Sequence, residues 1–179
     1  NLWFLFMQYI VLIYNMLKQL LIIFCTIGLS FAQIQYGGIP KYFDSRIDNL
    51  NFIQIDNSQE VDREFHPMIF QFGDEFDVNI NVLESSSIIE NENDVTFLLG
   101  LDSRDAYGIG LNFNEFYLTE NAKLFFYDED KTQFYGSFSY LNNKSTGDLA
   151  TTILKSDRII IELNVPYNEI EDLRLNIDS

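Results

Sequence analysis

The first clear pattern of apolar and polar positions lies at residues 76–83, FDVNINVL. Every second residue from Phe76 to Val82 is apolar, and the residues between them are Asp or Asn. Successive side chains of a strand point to opposite faces, so this alternation predicts a strand that is buried on one side only.

Further strand patterns follow at short intervals. Residues 94–101, DVTFLLGL, are almost uniformly apolar and predict a central strand. In YGIGLNFNEFYL the apolar parity changes near Asn114 and Glu115, which predicts a bulge there. The remaining patterns are the segments AKLFFYD, TQFYGSFS, DLATTIL, DRIIIELN (before Pro166) and DLRLNI.

Seven or eight short strands without a convincing helix among them predict an all-β fold. We expect an antiparallel β-sandwich of about eight strands, of jelly-roll or CUB-like type, over residues 68–179. Residues 33–67 have weak periodicity and are interpreted as an extended leader that packs against this domain or links to it.

The N-terminal segment carries the features of a signal-peptide helix. Residues 16–18 supply a positive start, residues 20–29 an apolar core, and Ser30-Phe31-Ala32 small residues at the cleavage position. This predicts cleavage after Ala32, with residues 1–15 as an upstream extension. The alternative is a membrane span within residues 2–31, but the polar interruption at 15–19 leaves each half shorter than the roughly 20 residues a span needs.

The composition narrows the class of protein. Cys25 is the only cysteine and lies in the predicted signal, so residues from Gln33 onward contain neither disulfides nor thiol-based sites.

The charged residues number 27 acidic against 11 basic. Lys18 is the only charged residue before Gln33, so the remainder carries 10 − 27 = −17. The acidic excess therefore disfavours nucleic acid and anionic membrane surfaces as partners, and no stable membrane insertion is expected after signal cleavage.

No catalytic residue is predicted in this chain. The only histidine is His66, which lies beside Pro67 in the least periodic region. No G-x-S-x-G sequence is present to suggest a hydrolase nucleophile. We interpret His66 as a surface or packing residue.

Calcium is the one cofactor for which the sequence offers candidates. Asp128-Glu129-Asp130 has the charge of a calcium loop, but the sixth position, where an EF-hand needs glycine, is Gln133. A solvated hairpin turn is the favoured interpretation. A different kind of calcium site, built from Asp102, Asp105 or the cluster that contains Asp128 and Asp130, stays an alternative; otherwise no metal or cofactor is expected.

The sequence also contains an N-glycosylation pattern and an aromatic-rich region. Asn143-Lys144-Ser145 matches the N-glycosylation pattern, and Asn142-Asn143 suits a turn. An aromatic-rich region offers a sugar-binding platform, although core packing and cross-strand pairs explain it better. Its members are Phe125, Phe126, Tyr127, Phe134, Tyr135, Phe138 and Tyr140.

Several segments in order carry a family resemblance over about residues 36–177. They are GGIPKYF, FQFGDEFDVNI, residues 99–103, residues 116–127, Asn142-Asn143, GDLAT and SDRIIIELNVP. Together they resemble the N-terminal β-domain of secreted trypsin-like serine endopeptidases of the bacterial lysyl endopeptidase type. Two departures are Ser156 in place of the usual Gly and the lack of a Trp in residues 94–97.

The resemblance implies a non-catalytic, propeptide-like domain of a secreted or cell-surface precursor. Its partner would be a protease domain following in the same polypeptide, and none of that domain's catalytic residues can be assigned to this chain. The domain would assist folding, inhibition or substrate engagement. The alternative is a stand-alone extracellular β-sandwich that binds carbohydrate or a cell-surface ligand.

The signal-peptide interpretation predicts export. Expressed from Met16 in a Gram-negative host, the chain should be cleaved at or near the Ala32–Gln33 bond, as measured by N-terminal sequencing of the periplasmic product. An intact, membrane-embedded product would contradict the prediction.

Overall fold

The computed structural model describes residues 35–47, 50–58 and 73–179, together with Met7 and Lys18. The chain divides into two units, Asn1–Ile34 and Gln35–Ser179, and the fold below is that of the second. Most of the predicted signal segment, with Cys25, and also His66 lie outside the described residues. Within the described part of the chain, no helix is long and apolar enough to cross a membrane.

The described residues of the second unit form two β-sheets, which confirms the prediction of an all-β fold. The strands are β1 (Phe52–Gln54), β2 (Ile80–Asn81), β3 (Ser87–Glu90), β4 (Asp94–Asp102), β5 (Asn112–Tyr117), β6 (Lys123–Asp128), β7 (Phe134–Phe138), β8 (Leu149–Ala150), β9 (Arg158–Pro166) and β10 (Arg174–Ile177). They number ten rather than about eight, and two of them, β2 and β8, have only two residues each.

We call the six-stranded sheet the large sheet and the four-stranded sheet the small sheet. The large sheet has the order β1-β4-β9-β6-β7, with β3 also beside β4, and the small sheet has the order β2-β10-β5-β8. Their pairings are antiparallel with one exception, because β1 runs parallel to β4. A parallel neighbour needs a long crossover, and the chain between β1 and β4 provides one.

The predicted strand at residues 76–83 is only partly confirmed. Burial alternates as expected, but the paired strand is limited to β2, and a short helix, α1 (Val82–Ser85), follows it. The Asn81 side chain ends the strand by accepting hydrogen bonds from the backbone N–H groups of Leu83 and Glu84, at 3.0 and 3.3 Å. This is the N-cap geometry that asparagine favours, and it competes with strand continuation. Two 3₁₀ turns, Tyr140–Asn142 and Tyr167–Asp172, are further departures from an all-strand pattern.

The bulge predicted near Asn114 and Glu115 is present. Glu115 lies opposite Asn176, whereas Phe113 lies opposite Ile177, so Asn114 is the additional residue in β5. The shift turns both Phe113 and Phe116 into the core, where each is 2% exposed. The change of parity in the sequence thus corresponds to a real break in the ladder.

The main hydrophobic core draws residues from both sheets. The long strands β4 and β9 are buried over seven successive positions each, which explains their nearly continuous apolar sequence. Alternate β9 residues, from Ile159 to Val165, enter this core, whereas Ile160 and Glu162 belong to the opposite face of the large sheet.

The core assignment can be tested with a matched pair of isoleucines. Ile161 is fully buried, so Ile161→Ala should lower the free energy of unfolding by about 2–5 kcal/mol through lost burial and a residual cavity. Ile153 is 55% exposed, and Ile153→Ala should change it by about 0.5 kcal/mol or less. Urea unfolding measures both, and equal losses would contradict the assignment.

Candidate functional site

The outer face of the large sheet, away from the main core, is crossed by an N-terminal segment. We call this segment, residues 36–47 and 50–54, the strap. At one edge of the sheet the Tyr36 N–H donates to the Ser137 carbonyl at 3.0 Å, and the Ser137 hydroxyl donates to the Gly37 carbonyl at 2.7 Å. At the other edge the strap ends as β1 beside β4. It therefore spans the sheet from β7 to β4.

Apolar side chains hold the strap against the sheet. Leu98, Tyr127 and Ile160 are buried beneath it. The Phe43 ring makes an edge contact with Tyr127, with ring centroids 5.6 Å apart. The strap side chains in this cluster are Tyr42, Phe43, Ile47, Leu50 and Phe52.

Gly100 in β4 makes room for Phe52. A Cβ atom at position 100 would lie 2.6 Å from the Phe52 ring, too close for any larger residue without rearrangement. On its other side the ring is covered by the Arg158 guanidinium, 4.0 Å from the ring centroid. Arg158 also forms ion pairs with Asp102 and Glu129, which hold its guanidinium in place over the Phe52 ring.

A buried carboxylate lies under the strap. Glu162, in the middle of β9, is 0% exposed. Its Oε1 accepts hydrogen bonds from the Lys41 backbone N–H at 2.6 Å and from the Asn164 amide at 2.7 Å. Its Oε2 accepts from the Tyr42 backbone N–H and the Tyr127 hydroxyl, each at 3.1 Å. Each oxygen thus has two donors, and two of the four belong to the strap.

The phenol of Tyr127 is held in its neutral form by this arrangement. Burial raises the pKa of Tyr127 well above its ordinary value, and the neighbouring Glu162 carboxylate raises it further. A protonated hydroxyl is the form that can donate to Glu162. The phenol and the carboxylate therefore act as one buried hydrogen-bonded unit.

The hydrogen-bond network continues from Glu162 toward the protein surface. The Thr96 hydroxyl donates to the side-chain oxygen of Asn164 at 2.7 Å. The side chain of Lys41, whose backbone N–H binds Glu162, forms an ion pair with Asp94. The pKa of the Asp94 carboxyl lies below its ordinary value, chiefly because the Lys41 ammonium donates a hydrogen bond to it. The backbone of Lys41 is thus bound by one carboxylate and its side chain by another.

Chemically, this site is an anchor for the strap. The lone pairs of Glu162 are directed at protein donors, and the strap covers it from solvent. No described Lys or Arg forms an ion pair with Glu162, so neutral donors satisfy it. A carboxylate bound in this way fixes backbone position and has no exposed oxygen to offer an external substrate.

The calcium candidates are either bonded to protein groups or exposed in turns. Asp128 is 4% exposed, and its carboxylate accepts hydrogen bonds from Gln133 N–H and from both the N–H and the hydroxyl of Thr132. Asp130 is exposed in the same turn. Asp102 pairs with Arg158, and Asp105 is exposed in another turn with φ of 63°. Among the described residues no group of three potential ligands comes together.

The aromatic region does not form an exposed platform, so the sugar-binding interpretation of these residues is wrong. Four of its members, Phe125, Phe126, Tyr127 and Phe138, are at most 2% exposed. Phe134 and Tyr135 are partly buried, and Tyr140 alone is exposed. The rings fill the interior on both faces of a central strand, as the core interpretation predicted.

Asn143 of the glycosylation pattern has a structural role. Its side-chain oxygen accepts from the Leu118 N–H at 2.9 Å, and its side-chain nitrogen donates to the Leu118 carbonyl at 2.8 Å. The amide replaces a strand partner for Leu118 and fastens the Tyr140–Asn142 turn beside the end of β5. A glycan on this nitrogen would break the second bond.

Sequence reasoning did not single out Glu162 as a site residue. A feature of the sequence could have identified it: a glutamate inside the apolar run RIIIELNVP of a central strand must be buried and needs hydrogen-bond donors. The identity of those donors was not visible, since the strap residues that supply them are about 120 positions away in the chain.

Comparisons with protein-family models, with curated proteins and with solved structures gave no match for this chain.

The anchoring role of Glu162 predicts a local effect on the strap. Glu162→Ala leaves the N–H groups of Lys41 and Tyr42 without their acceptor, so it should destabilise the protein by about 3 kcal/mol or more. Relative to the unmodified chain, Glu162→Ala should accelerate hydrogen exchange at the Lys41 and Tyr42 amides more than at the amides of the β4–β9 ladder.

The control is Glu120→Ala, which removes an exposed glutamate and should change stability by about 0.5 kcal/mol or less. Unchanged protection of the Lys41 and Tyr42 amides in Glu162→Ala would show that the strap does not depend on this carboxylate.

Proposed function

We propose that residues 33–179 are the non-catalytic N-terminal domain of a secreted, trypsin-like serine endopeptidase precursor of the lysyl endopeptidase type. In this proposal residues 68–179 form a β-sandwich of jelly-roll or CUB-like type, and the leader covers one of its faces. The domain assists folding or inhibition of a protease domain that follows in the same polypeptide, or helps that domain to engage its substrate. Export through the predicted signal peptide places it outside the cell or at the cell surface.

One observation gives this proposal its main support: two segments that carry the family resemblance meet in space. GGIPKYF supplies the strap backbone, and SDRIIIELNVP supplies Glu162, to which that backbone is bonded. The two segments therefore belong to one packed unit, as the proposal of a single N-terminal domain requires. The proposal assigns no catalytic residue to this unit.

The charge of the chain is consistent with this role. The excess of 27 acidic over 11 basic residues favours partners with an opposite surface charge and disfavours anionic ones. A domain that must recognise one particular neighbour gains orientation from such complementarity, even where the gain in affinity is modest.

The experiment begins with the coding sequence downstream of Ser179, which should encode a His-Asp-Ser peptidase domain. That domain should be produced with and without this chain in the same polypeptide. We expect the yield of active lysyl peptidase to fall about tenfold or more without the chain, or the separately added chain to inhibit the active enzyme by a comparable factor, equivalent to about 1.4 kcal/mol.

The chain by itself should hydrolyse lysyl esters no faster than buffer, and His66→Ala should leave that rate unchanged. A natural end of the reading frame at Ser179 would contradict the proposal. Hydrolysis by the purified chain that disappears in His66→Ala would contradict its non-catalytic character.

A further inference from the structure

The two sheets differ in how their outer faces are treated. The strap covers the large sheet, whereas the small sheet presents exposed side chains on the face away from the core. On β5 these include Glu115 and Tyr117, and on β10 they include Arg174, which lies opposite Tyr117. Among the described residues, the side chains on this outer face are mainly polar or charged.

A row of three asparagines crosses this face. Asn176 of β10 donates one hydrogen bond to the Asn79 side-chain oxygen and another to the Asn114 side-chain oxygen, both at 3.0 Å. Asn79 and Asn114 are exposed, and Asn176 is partly buried between them. We call Asn79, Asn176 and Asn114 the amide row.

The hydrogen bonds within the row fix the direction of its remaining groups. Both N–H groups of Asn176 are used, so its side-chain oxygen remains as an acceptor. The oxygens of Asn79 and Asn114 are turned toward Asn176, so their NH₂ groups remain as donors. The row thus offers preorganised donors and an acceptor without losing rotamer freedom when a ligand binds.

An exposed aromatic ring lies beside the row. Tyr117 is 49% exposed and follows Glu115 on the same face, at about 7 Å along the strand. Asn143 fastens the next residue, Leu118, to the Tyr140–Asn142 turn. That turn carries Tyr140, which is 43% exposed. Tyr117 therefore lies on the same face as the amide row, and the turn that carries Tyr140 is bonded to the residue after it.

We propose that the outer face of the small sheet binds a neutral saccharide chain through the amide row and Tyr117. Hydroxyl groups both donate and accept hydrogen bonds and so match the amide groups, while the C–H face of a sugar ring packs on tyrosine. The inference is independent of the proposed function, and its site does not use the buried aromatic residues.

Charge and desolvation select this ligand class over others. The chain has a formal net charge of −16, which repels anionic ligands such as nucleic acid or phosphorylated groups. An apolar protein surface placed on the row would bury its donors and acceptor without partners, which disfavours such a partner. A neutral, hydroxyl-rich chain satisfies them.

The test uses the purified chain and a panel of soluble neutral oligosaccharides built from glucose, mannose, xylose or N-acetylglucosamine, with binding measured by calorimetry. At least one class should bind. Tyr117→Ala and Asn176→Ala should each weaken that binding about tenfold, the equivalent of one lost contact. Tyr117→Phe should retain it, because the ring is kept.

Matched controls lie elsewhere on the surface. Tyr107 is 100% exposed in a different loop, and Asn93 is exposed between β3 and β4, so Tyr107→Ala and Asn93→Ala should bind as the unmodified chain does. Thermal unfolding checks that every variant folds. If Tyr117→Ala does not fold, Asn114→Asp provides the second test, because it removes donors at an exposed position and should also weaken binding.

Absence of binding to every oligosaccharide at millimolar concentration would overturn the inference. So would binding that the two controls weaken as much as the site variants do, or binding that Asn176→Ala and Asn114→Asp leave unchanged. Loss of binding in the site variants alone would support it.

Discussion

The fold depends on satisfying a carboxylate in the middle of a central strand. Glu162 is fully buried, and a buried carboxylate without donors costs several kcal/mol. The sheet itself supplies only two of its four donors, from Tyr127 and Asn164, and the strap supplies the other two. The strap is consequently a structural part of this unit, because its backbone completes the hydrogen bonding of Glu162 in the large sheet.

The outer faces of the two sheets differ, because the strap covers only that of the large sheet. The strap converts the outer face of the large sheet into a second, smaller hydrophobic cluster with Glu162 within it. The small sheet keeps an accessible outer face, on which three asparagines hold one another in place. A ligand or a neighbouring domain therefore meets amide, carboxylate and tyrosine groups on the small sheet, whereas on the large sheet it meets the strap.

The strap is anchored both by buried backbone donors and by an ion pair at the surface. Two N–H groups bound to one carboxylate hold the strap backbone, in addition to the packing of its apolar side chains. The ion pair of Lys41 with Asp94 adds a surface contact that depends on pH. The lowered pKa of Asp94 makes this contact fully stabilising above the ordinary aspartate pKa, and the stabilisation is lost as the pH falls through the lowered pKa. The buried part of the anchor keeps the domain assembled.

The sequence alone determined the all-β class, the parity of buried residues from Phe76 to Val82, the bulge at Asn114 and the end of β9 at Pro166. These are local properties, because strand periodicity and its interruptions are written in neighbouring residues. It did not determine the turn of helix after Asn81, where a side-chain cap outweighs apolar alternation, nor the route of the strap. Above all, only the tertiary structure decided the role of Glu162, since its donors come from residues up to 121 positions away and no local pattern records which backbone will reach a buried oxygen.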